Sequence, residues 1–392
     1  MAKAKYVLAL DQGTTGTHVS ILDTKLQVVG RSYKELTQHF PKPSWVEHDL
    51  NEIWSTSEWC ISRALKDAGL TGKDIAVVGI TNQRETTGLW TRDGGEPLAR
   101  AIVWQDRRTA DICQELKSQG VEPRVREMTG LVLDPYFSGT KLTWLFKHLK
   151  GAKKRAEKGD VCFGTMDSWL VYKLTGGIAH VTDVSNASRT LLMDLRSLEW
   201  DNELCSLLGV PRACLPEIRG NAEVYGTTRG MKSLPDGVLV AGMAGDQQAA
   251  LFGQACFNPG ESKCTYGTGA FLLMNTGTRA ACSPASTAPP PWPTWRARPW
   301  RAWRSRFTTW RRRCAATADA TSPRSRRTAA PRPTTCSCST RPTCWVCRWC
   351  GRATWRPPPW ARRSWAAWAP GCGPARTPSA ARGRRTAPSS RR

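Results

Sequence analysis

Residues 281–392 contain no Leu, Ile, Met, Lys, Glu, Gln, Asn, Tyr or His, and only one acid, Asp319. With one Val and one Phe as its only large apolar residues besides Trp, this stretch cannot assemble a core, and it is expected to be disordered. The chain also lacks any apolar run near the roughly 18–20 residues that cross a bilayer, so no membrane-spanning helix is expected within it. It lacks a secretory leader pattern, since Met1-Ala2-Lys3-Ala4-Lys5 runs straight into a short strand. The seven cysteines before position 281 have no framework spacing, so reduced thiols and a cytoplasmic location are expected. The shortage of acid is local. Of the net charge of +25, +23 falls in residues 281–392, while 33 basic and 31 acidic residues precede them. The first 280 residues therefore read as a nearly neutral globular chain rather than a nucleic-acid binder.

What is there is organised around Asp11-Gln12-Gly13-Thr14-Thr15-Gly16-Thr17. Tyr6 to Leu10 before it and His18 to Leu22 after it read as strands, which makes the stretch a hairpin loop. Glycines let backbone N–H groups approach an anion, and threonine hydroxyls add donors, so the loop can cradle phosphate as well as form an ordinary turn. The carboxylate of Asp11 at the strand end can hold Mg²⁺ beside those phosphates. Residues 5–36 alternate like two or three antiparallel strands. Asn51 to Gly69 reads as a helix capped by Asn51, with Ile53, Cys60, Ile61, Ala64, Leu65 and Ala68 on one face. The runs from Asp74 to Ile80, Ala101 to Trp104 and Val238 to Gly242 read as buried strands. Arg107 to Gln119 reads as a helix. Leu142, Leu145, Phe146 and Leu149 form a helical stripe assigned to the core. Lys263 to Gly269 is a second Gly/Thr loop before the strand Ala270 to Met274. Two such loops suggest two similar domains gripping a nucleotide.

Polar residues just past the ends of buried strands mark α/β active sites. Arg84, Glu85, Tyr136, Asp246 and Gln247 are placed in one cleft on that ground. Their side chains can bind vicinal hydroxyls by directed hydrogen bonds, and a carboxylate at a strand-to-helix junction can serve as the base for a hydroxyl attacking a γ-phosphate. The plain alternatives are an N-cap role for Asp246 and a surface pair for Arg84 and Glu85.

Eight segments in order, LALDQGTTGT (8–17), PSWVEHDLNEIW (43–54), GITNQRETT (79–87), AIVWQDRRTA (101–110), GLVLDPYFSGTKLTWL (130–145), VTDVSNASRTLL (181–192), AGDQQAALFGQ (244–254) and TYGTGAFLLMNTG (265–277), resemble the glycerol kinases, carbohydrate kinases with the actin-like ATPase fold. The resemblance covers residues 5–278. It implies an α/β fold, ribonuclease H-like, with a mixed sheet flanked by helices. It implies ATP-dependent phosphorylation of glycerol to sn-glycerol 3-phosphate, and a family whose members are often homo-oligomeric. By motif, Arg84, Glu85, Tyr136, Asp246 and Gln247 would contact glycerol, Trp104 would pack on its carbons, and Asp246 would be the base. Gly13, Thr14, Thr15, Gly16, Gly267 and Thr268 would hold ATP phosphates, with Asp11 and Asp246 near Mg²⁺. Where glycerol kinases usually have Ser and often Arg, this chain has Gly16 and His18. A histidine pairs with phosphate less strongly than arginine does, and in a pH-dependent way. A kinase for another polyol or ketose is the nearest alternative.

The length allows two or three domains of roughly 100–200 residues. Residues 1–252 are expected to form the domain with the glycerol site and 253–278 to begin a second actin-like domain. Residues 279–392 follow as a non-homologous tail. That tail admits three readings: nucleic-acid binding by Arg and Trp, zinc at Cys344, Cys347 and Cys350, or translation of a GC-rich gene out of frame. One nucleotide earlier each Trp codon becomes the codon of Leu, Val or Met, and residues 299–319 and 327–370 can then spell segments similar to the second domain of glycerol kinases. The out-of-frame reading is adopted. Much of a second domain is expected to be missing, and with it the closure that catalysis needs. No specific nucleic-acid partner is expected.

Overall fold

The computed structural model describes residues 5–266 and 270–277. Gly267, Thr268 and the readings made of residues 278–392 lie outside the described residues.

Three antiparallel strands open the chain: β1 (Tyr6–Gln12), β2 (Gly16–Leu22) and β3 (Val28–Glu35). Alternation turns Leu8, Leu10, Val19 and Ile21 to one face, where all four are fully buried. The first loop is shorter than the sequence suggests, with only Gly13, Thr14 and Thr15 between the strands. Asp11 pairs across the ladder with His18, and Gln12 with Thr17. Gln12 and Thr17 are buried, and the Thr17 hydroxyl donates to Gln12 Oε1 at 2.7 Å. That mutual satisfaction lets polar residues continue a strand.

After β4 (Glu47–His48) comes α1 (Leu50–Ala68). Its cap is Asp49, not Asn51: the Asp49 carboxylate accepts from the backbone N–H of Asn51 and Glu52. Ile53, Cys60, Ile61, Ala64 and Leu65 pack as expected on the sheet, and Ala68 lies partly buried at its edge. β5 (Ile75–Asn82) then runs parallel to β1.

Next come β6 (Gly88–Thr91), β7 (Ala101–Ile102), α2 (Ala110–Ser118), α3 (Glu122–Thr129), α4 (Ser138–His148), α5 (Ala152–Glu157) and β8 (Val161–Gly164). The expected strand at 101–104 is cut to two residues and pairs with β4 outside the main sheet. It stops because the chain turns at Asp106, whose N–H reaches Val103 O and whose carboxylate accepts from Val46 N–H at 2.6 Å. The same turn delays the next helix to Ala110, since the Arg108 N–H is taken by Asp106 Oδ1. In α4, Leu142, Leu145 and Phe146 are buried as the stripe predicts, while Leu149 forms the C-cap and is only partly buried.

α6 (Met166–Leu174), β9 (Val181–Asp183), α7 (Val184–Ala187), β10 (Met193–Asp194), β11 (Glu199–Trp200), α8 (Asn202–Leu207), β12 (Glu217–Arg219) and β13 (Gly226–Thr227) lead to β14 (Leu239–Gly245). β14 docks parallel to β5 and passes directly into α9 (Asp246–Gly253). The described chain ends in the antiparallel hairpin β15 (Ser262–Tyr266) and β16 (Ala270–Met274).

The main sheet is mixed, in the order β13-β14-β5-β1-β2-β3. Residues of α1 and α6 bury one face of it around Trp90 and Trp169, whose rings meet edge to face at 5.1 Å. A second apolar cluster gathers Leu89, Ile102, Leu142, Phe163 and Leu204 from the segments between β6 and α8. Among the described residues no helix is long and apolar enough to cross a membrane.

Candidate active site

The parallel strands β1, β5 and β14 end side by side, with Asp11 in register with Thr81 and Asn82 with Gly245. Each strand hands its next residues to the same cleft, as open α/β sheets do. From β5 come Arg84 and Glu85. Both are buried, so the surface-pair alternative falls. Glu85 adopts a left-handed backbone with φ of 60°. For a side chain this large that conformation costs on the order of 1 kcal/mol or more and persists only where surroundings fix it. Here the Glu85 carbonyl accepts from the hydroxyls of Thr87 at 3.0 Å and Ser138 at 3.1 Å. Its carboxylate accepts from Arg189 Nε at 2.7 Å.

From β14 comes Asp246. The N-cap of α9 is Gly245, not Asp246. A side chain at Gly245 would put its Cβ 2.6 Å from Arg84 Cδ, so glycine is what lets the two strand ends close. Arg84 Nε lies 3.2 Å from Asp246 Oδ1, an ion pair whose geometry is not that of a hydrogen bond. The Asp246 side chain is 37% exposed, yet its Oδ1 is buried and has no hydrogen-bond partner. Burial raises its carboxyl above the usual range, Arg84 offsets part of that, and Glu85 adds to it.

The aromatic wall is built by Trp104, Tyr136 and Phe271. The Trp104 ring meets Tyr136 edge-on at 5.6 Å and Phe271 at 5.9 Å. Trp104 Nε1 donates to the Thr14 hydroxyl at 2.9 Å, which ties the first hairpin to this wall. Tyr136 is held by its loop: Asp134 accepts from its N–H at 2.9 Å, and Lys141 Nζ donates to its carbonyl at 2.6 Å. Lys141 is fully buried, and burial lowers its ammonium to about 7 against the opposing pull of Glu85 and Asp106. Burial and then Glu85 push the Tyr136 phenol up to about 12, so it stays a neutral donor.

Thr14, Thr15, Arg84, Glu85, Trp104, Tyr136, Asp246 and Gln247, with Thr265 and Phe271, line a half-open cavity of about 160 Å³. That is well below the roughly 300–1,000 Å³ of drug-sized pockets and suits a ligand of few heavy atoms. Thr14 and Thr15 reach this cavity, while Gly13, Gly16 and His18 do not line it. Gly16 is required by packing, because a Cβ there would lie 2.5 Å from the Lys34 carbonyl and 2.6 Å from the Tyr33 hydroxyl. His18 stands across from Asp11 on β2, its Nε2 3.4 Å from the Ser20 hydroxyl, and burial followed by Arg31 lowers its pKa. It is mostly neutral at pH 7.

Burial, and then the neighbouring Asp246, push Asp11 up to about 6. A carboxylate raised by a second carboxylate beside it fits a divalent ion. The Thr81 hydroxyl, in register with Asp11, is also buried without a partner. No group of three or more His, Cys, Asp or Glu side chains forms a metal cage among the described residues. Mg²⁺ needs none, since it keeps several waters and takes one or two carboxylates.

Five contributors escaped the sequence reading: Lys141, Arg189, Lys263, Thr265 and Phe271. Lys263 Nζ donates to Gln247 Oε1 and, at 2.6 Å, to the Thr265 hydroxyl. With its oxygen occupied, Gln247 has its NH₂ left to donate, and its side chain also hydrogen-bonds the neighbouring Asp246. Lys141 and Arg189 lay inside segments already singled out, but a charge paired across 104 residues leaves no local mark.

A strand-end carboxylate, a threonine hairpin and a small polar cavity thus meet at the ends of the parallel strands. The chain belongs to the FGGY family of carbohydrate kinases, whose N-terminal domain matches residues 6–253. Within that family it is similar to the glycerol kinase of Myxococcus xanthus (strain DK1622), 81% identical over 285 residues, covering 73% of this chain and 58% of that protein. The glycerol kinase of Geobacillus kaustophilus (strain HTA426) is 54% identical over 279 residues, 71% of this chain and 56% of the relative. The chain thus spans a little over half the length of these relatives. Among solved structures, Plasmodium falciparum glycerol kinase with ADP superposes with a TM-score of 0.66 at 38% identity, over 69% of this chain and 54% of that one. Gluconate kinase from Lactobacillus acidophilus, with a TM-score of 0.62 at 22% identity over 68% of this chain and 53% of that one, shares the fold. The mixed sheet with helices is accordingly the actin-like kinase fold.

Proposed function

We propose that residues 5–277 carry the glycerol site of an ATP-dependent glycerol kinase, with Asp246 as general base. The observation that carries this is Asp246, its Oδ1 buried without a hydrogen bond beside Arg84, at a cavity of about 160 Å³ lined both by rings and by donors and acceptors. A three-carbon triol has the matching character. Its carbons pack against the edges of Trp104 and Phe271, and its hydroxyls exchange hydrogen bonds with Arg84, Glu85, Tyr136 and Gln247. Glu85, fixed by Arg189, accepts; Arg84 and the Gln247 amide donate.

In the reaction, the terminal hydroxyl oxygen forms a bond to the γ-phosphorus while the bond from that phosphorus to the bridging oxygen of ADP breaks. The hydroxyl proton passes to Asp246, whose raised pKa suits a base that must accept it near neutral pH. Thr14 and Thr15 face the phosphates from a hairpin that the Gly13 N–H closes on the Gly16 carbonyl at 2.9 Å. Asp11 and Asp246 would hold Mg²⁺, which neutralises charge on the phosphoryl oxygens. Trp104, bonded to Thr14, keeps the alcohol pocket and the phosphate hairpin in one rigid frame.

The test is glycerol binding by calorimetry, followed by glycerol-dependent ADP release. Glycerol is expected to bind the 392-residue chain, with affinity lost in Arg84→Ala. Asp246→Asn is expected to abolish any ADP release. A chain that ignores glycerol but binds a ketose or a longer polyol would overturn the substrate. ADP release that survives Asp246→Asn would remove the base.

A further inference from the structure

The segment VTDVSNASRTLL has no group in the cavity, yet it is wired to both strand ends that do. Asp183 is fully buried at the end of β9. Its carboxylate accepts four hydrogen bonds: from the Ser185 N–H at 2.6 Å, the Ser185 hydroxyl, Asn186 Nδ2 at 2.6 Å and Asn221 Nδ2 at 2.7 Å. Each recipient passes the order on. The Ser185 hydroxyl, its hydrogen donated to the Asp183 carboxylate, accepts a hydrogen bond from the Gly245 N–H at 2.8 Å, one residue before Asp246. Asn221 Nδ2 also donates to the Met243 carbonyl at 3.0 Å, and the Met243 N–H returns to the Asn221 carbonyl at 3.0 Å. Asn186 and Asn82 exchange a reciprocal pair of amide hydrogen bonds, both 3.0 Å, two residues before Arg84. The same short helix then leads to Arg189, which holds Glu85.

We infer that Asp183 is a positioning residue for the substrate site, a buried anion that sets the spacing between the ends of β5 and β14 and so the approach of Arg84 and Glu85 to Asp246. This rests on the glycerol-site reading only in its choice of ligand. The polarity argument is strict. A carboxylate supplies acceptors on both oxygens, so all four donors are satisfied at once. An amide in its place would face Asn186 Nδ2 or Asn221 Nδ2 with a second NH₂, and the chain of bonds to Asn82 or Met243 would break.

Asp167 is the natural control. It is equally buried and its carboxylate accepts from the hydroxyls of Thr165 and Thr182, but it touches neither strand end. A purely structural role would make Asp183→Asn and Asp167→Asn behave alike.

The experiment compares wild type, Asp183→Asn, Ser185→Ala and Asp167→Asn by glycerol calorimetry and by hydrogen exchange of the peptide spanning 243–248. Ser185→Ala is the mild variant, removing the hydroxyl that joins Asp183 to Gly245 while leaving the Ser185 N–H, Asn186 and Asn221 on the carboxylate. Asp183→Asn and Ser185→Ala are expected to speed exchange there and to weaken glycerol binding, each by roughly tenfold, the effect of losing one charge-assisted hydrogen bond. Asp167→Asn is expected to leave both within about twofold: the two carboxylates sense each other's charge, but Asp167 makes no hydrogen bond to either strand end, and its loss leaves Asp183 all four donors. Unchanged exchange in Ser185→Ala, or an equal loss of affinity in Asp167→Asn, overturns the inference. If wild type binds no glycerol, the substrate reading fails alone, and exchange at Gly245 still decides the role of Asp183.

Discussion

Replacing Asp11 by asparagine should make the metal-free protein more stable at neutral pH. Asp11 titrates near 6 instead of 3.8 because burial and the neighbouring Asp246 disfavour its anion. The native state therefore holds a proton there between pH 4 and 6 that the unfolded chain has released. Stability falls as pH rises through that window and stays lower above it. A shift of about two pH units corresponds to about 2–3 kcal/mol at pH 7.5. Asparagine keeps the shape, carries no charge, and removes that cost. For a domain of this size the expected gain is about 5–10 °C in melting midpoint. The assay is thermal unfolding from pH 4 to 8, with and without Mg²⁺. Wild type should gain stability with Mg²⁺ above pH 6, because the cation relieves the Asp11–Asp246 repulsion, and Asp11→Asn should gain little. Equal midpoints for the two proteins at pH 7.5 without metal would refute the account of Asp11. An unchanged metal response in Asp11→Asn would refute its role as a ligand.

Three other outcomes follow from the same geometry. Lys263→Met should weaken glycerol binding by roughly tenfold, because it frees Gln247 Oε1 to turn toward the cavity; calorimetry would read it. Gly16→Ser should destabilise by about 1–3 kcal/mol by urea unfolding, and Tyr33→Ala in the same chain should recover part of it, since Tyr33 fills the space a Cβ needs. His48 and His180 are buried neutral and lowered to about 4. The unfolded chain takes up those protons near 6.5, so stability present above pH 6.5 should drain away down to pH 4, and His48→Gln should flatten that acid limb in pH-dependent melting.

Much of this was legible in the sequence because its signals are local. The apolar runs 75–80 and 238–242 could only be buried strands, and the polar residues just beyond them fall in one cleft. The helix cap was misplaced because Asp49 and Asn51 both suit the role and only the backbone turn decides. The run 101–104 was overread because nothing in its composition reports the turn at Asp106. Arg189 was invisible for a different reason, since it matters through Glu85, 104 residues away, and Lys263, though it opens the second Gly/Thr loop, carries no mark of its bond to Gln247. The left-handed Glu85 carries no composition mark at all, since the strain is held by hydroxyls from Thr87 and Ser138.

The order of the main sheet has a consequence for synthesis. β5 lies between β1 and β14, but β1 precedes it by about 70 residues and β14 follows it by about 160. At roughly 5–20 residues per second, a nascent chain holds β5 with one edge unpaired for on the order of ten to thirty seconds. An apolar strand with an open edge is a template for pairing with another chain. Arg84 and Glu85 emerge at the end of that strand, long before Asp246 exists to meet them. A growing chain is therefore most vulnerable to association between the release of Asn82 and the arrival of Gly245, and a pause in translation within that interval should lower the yield of folded protein.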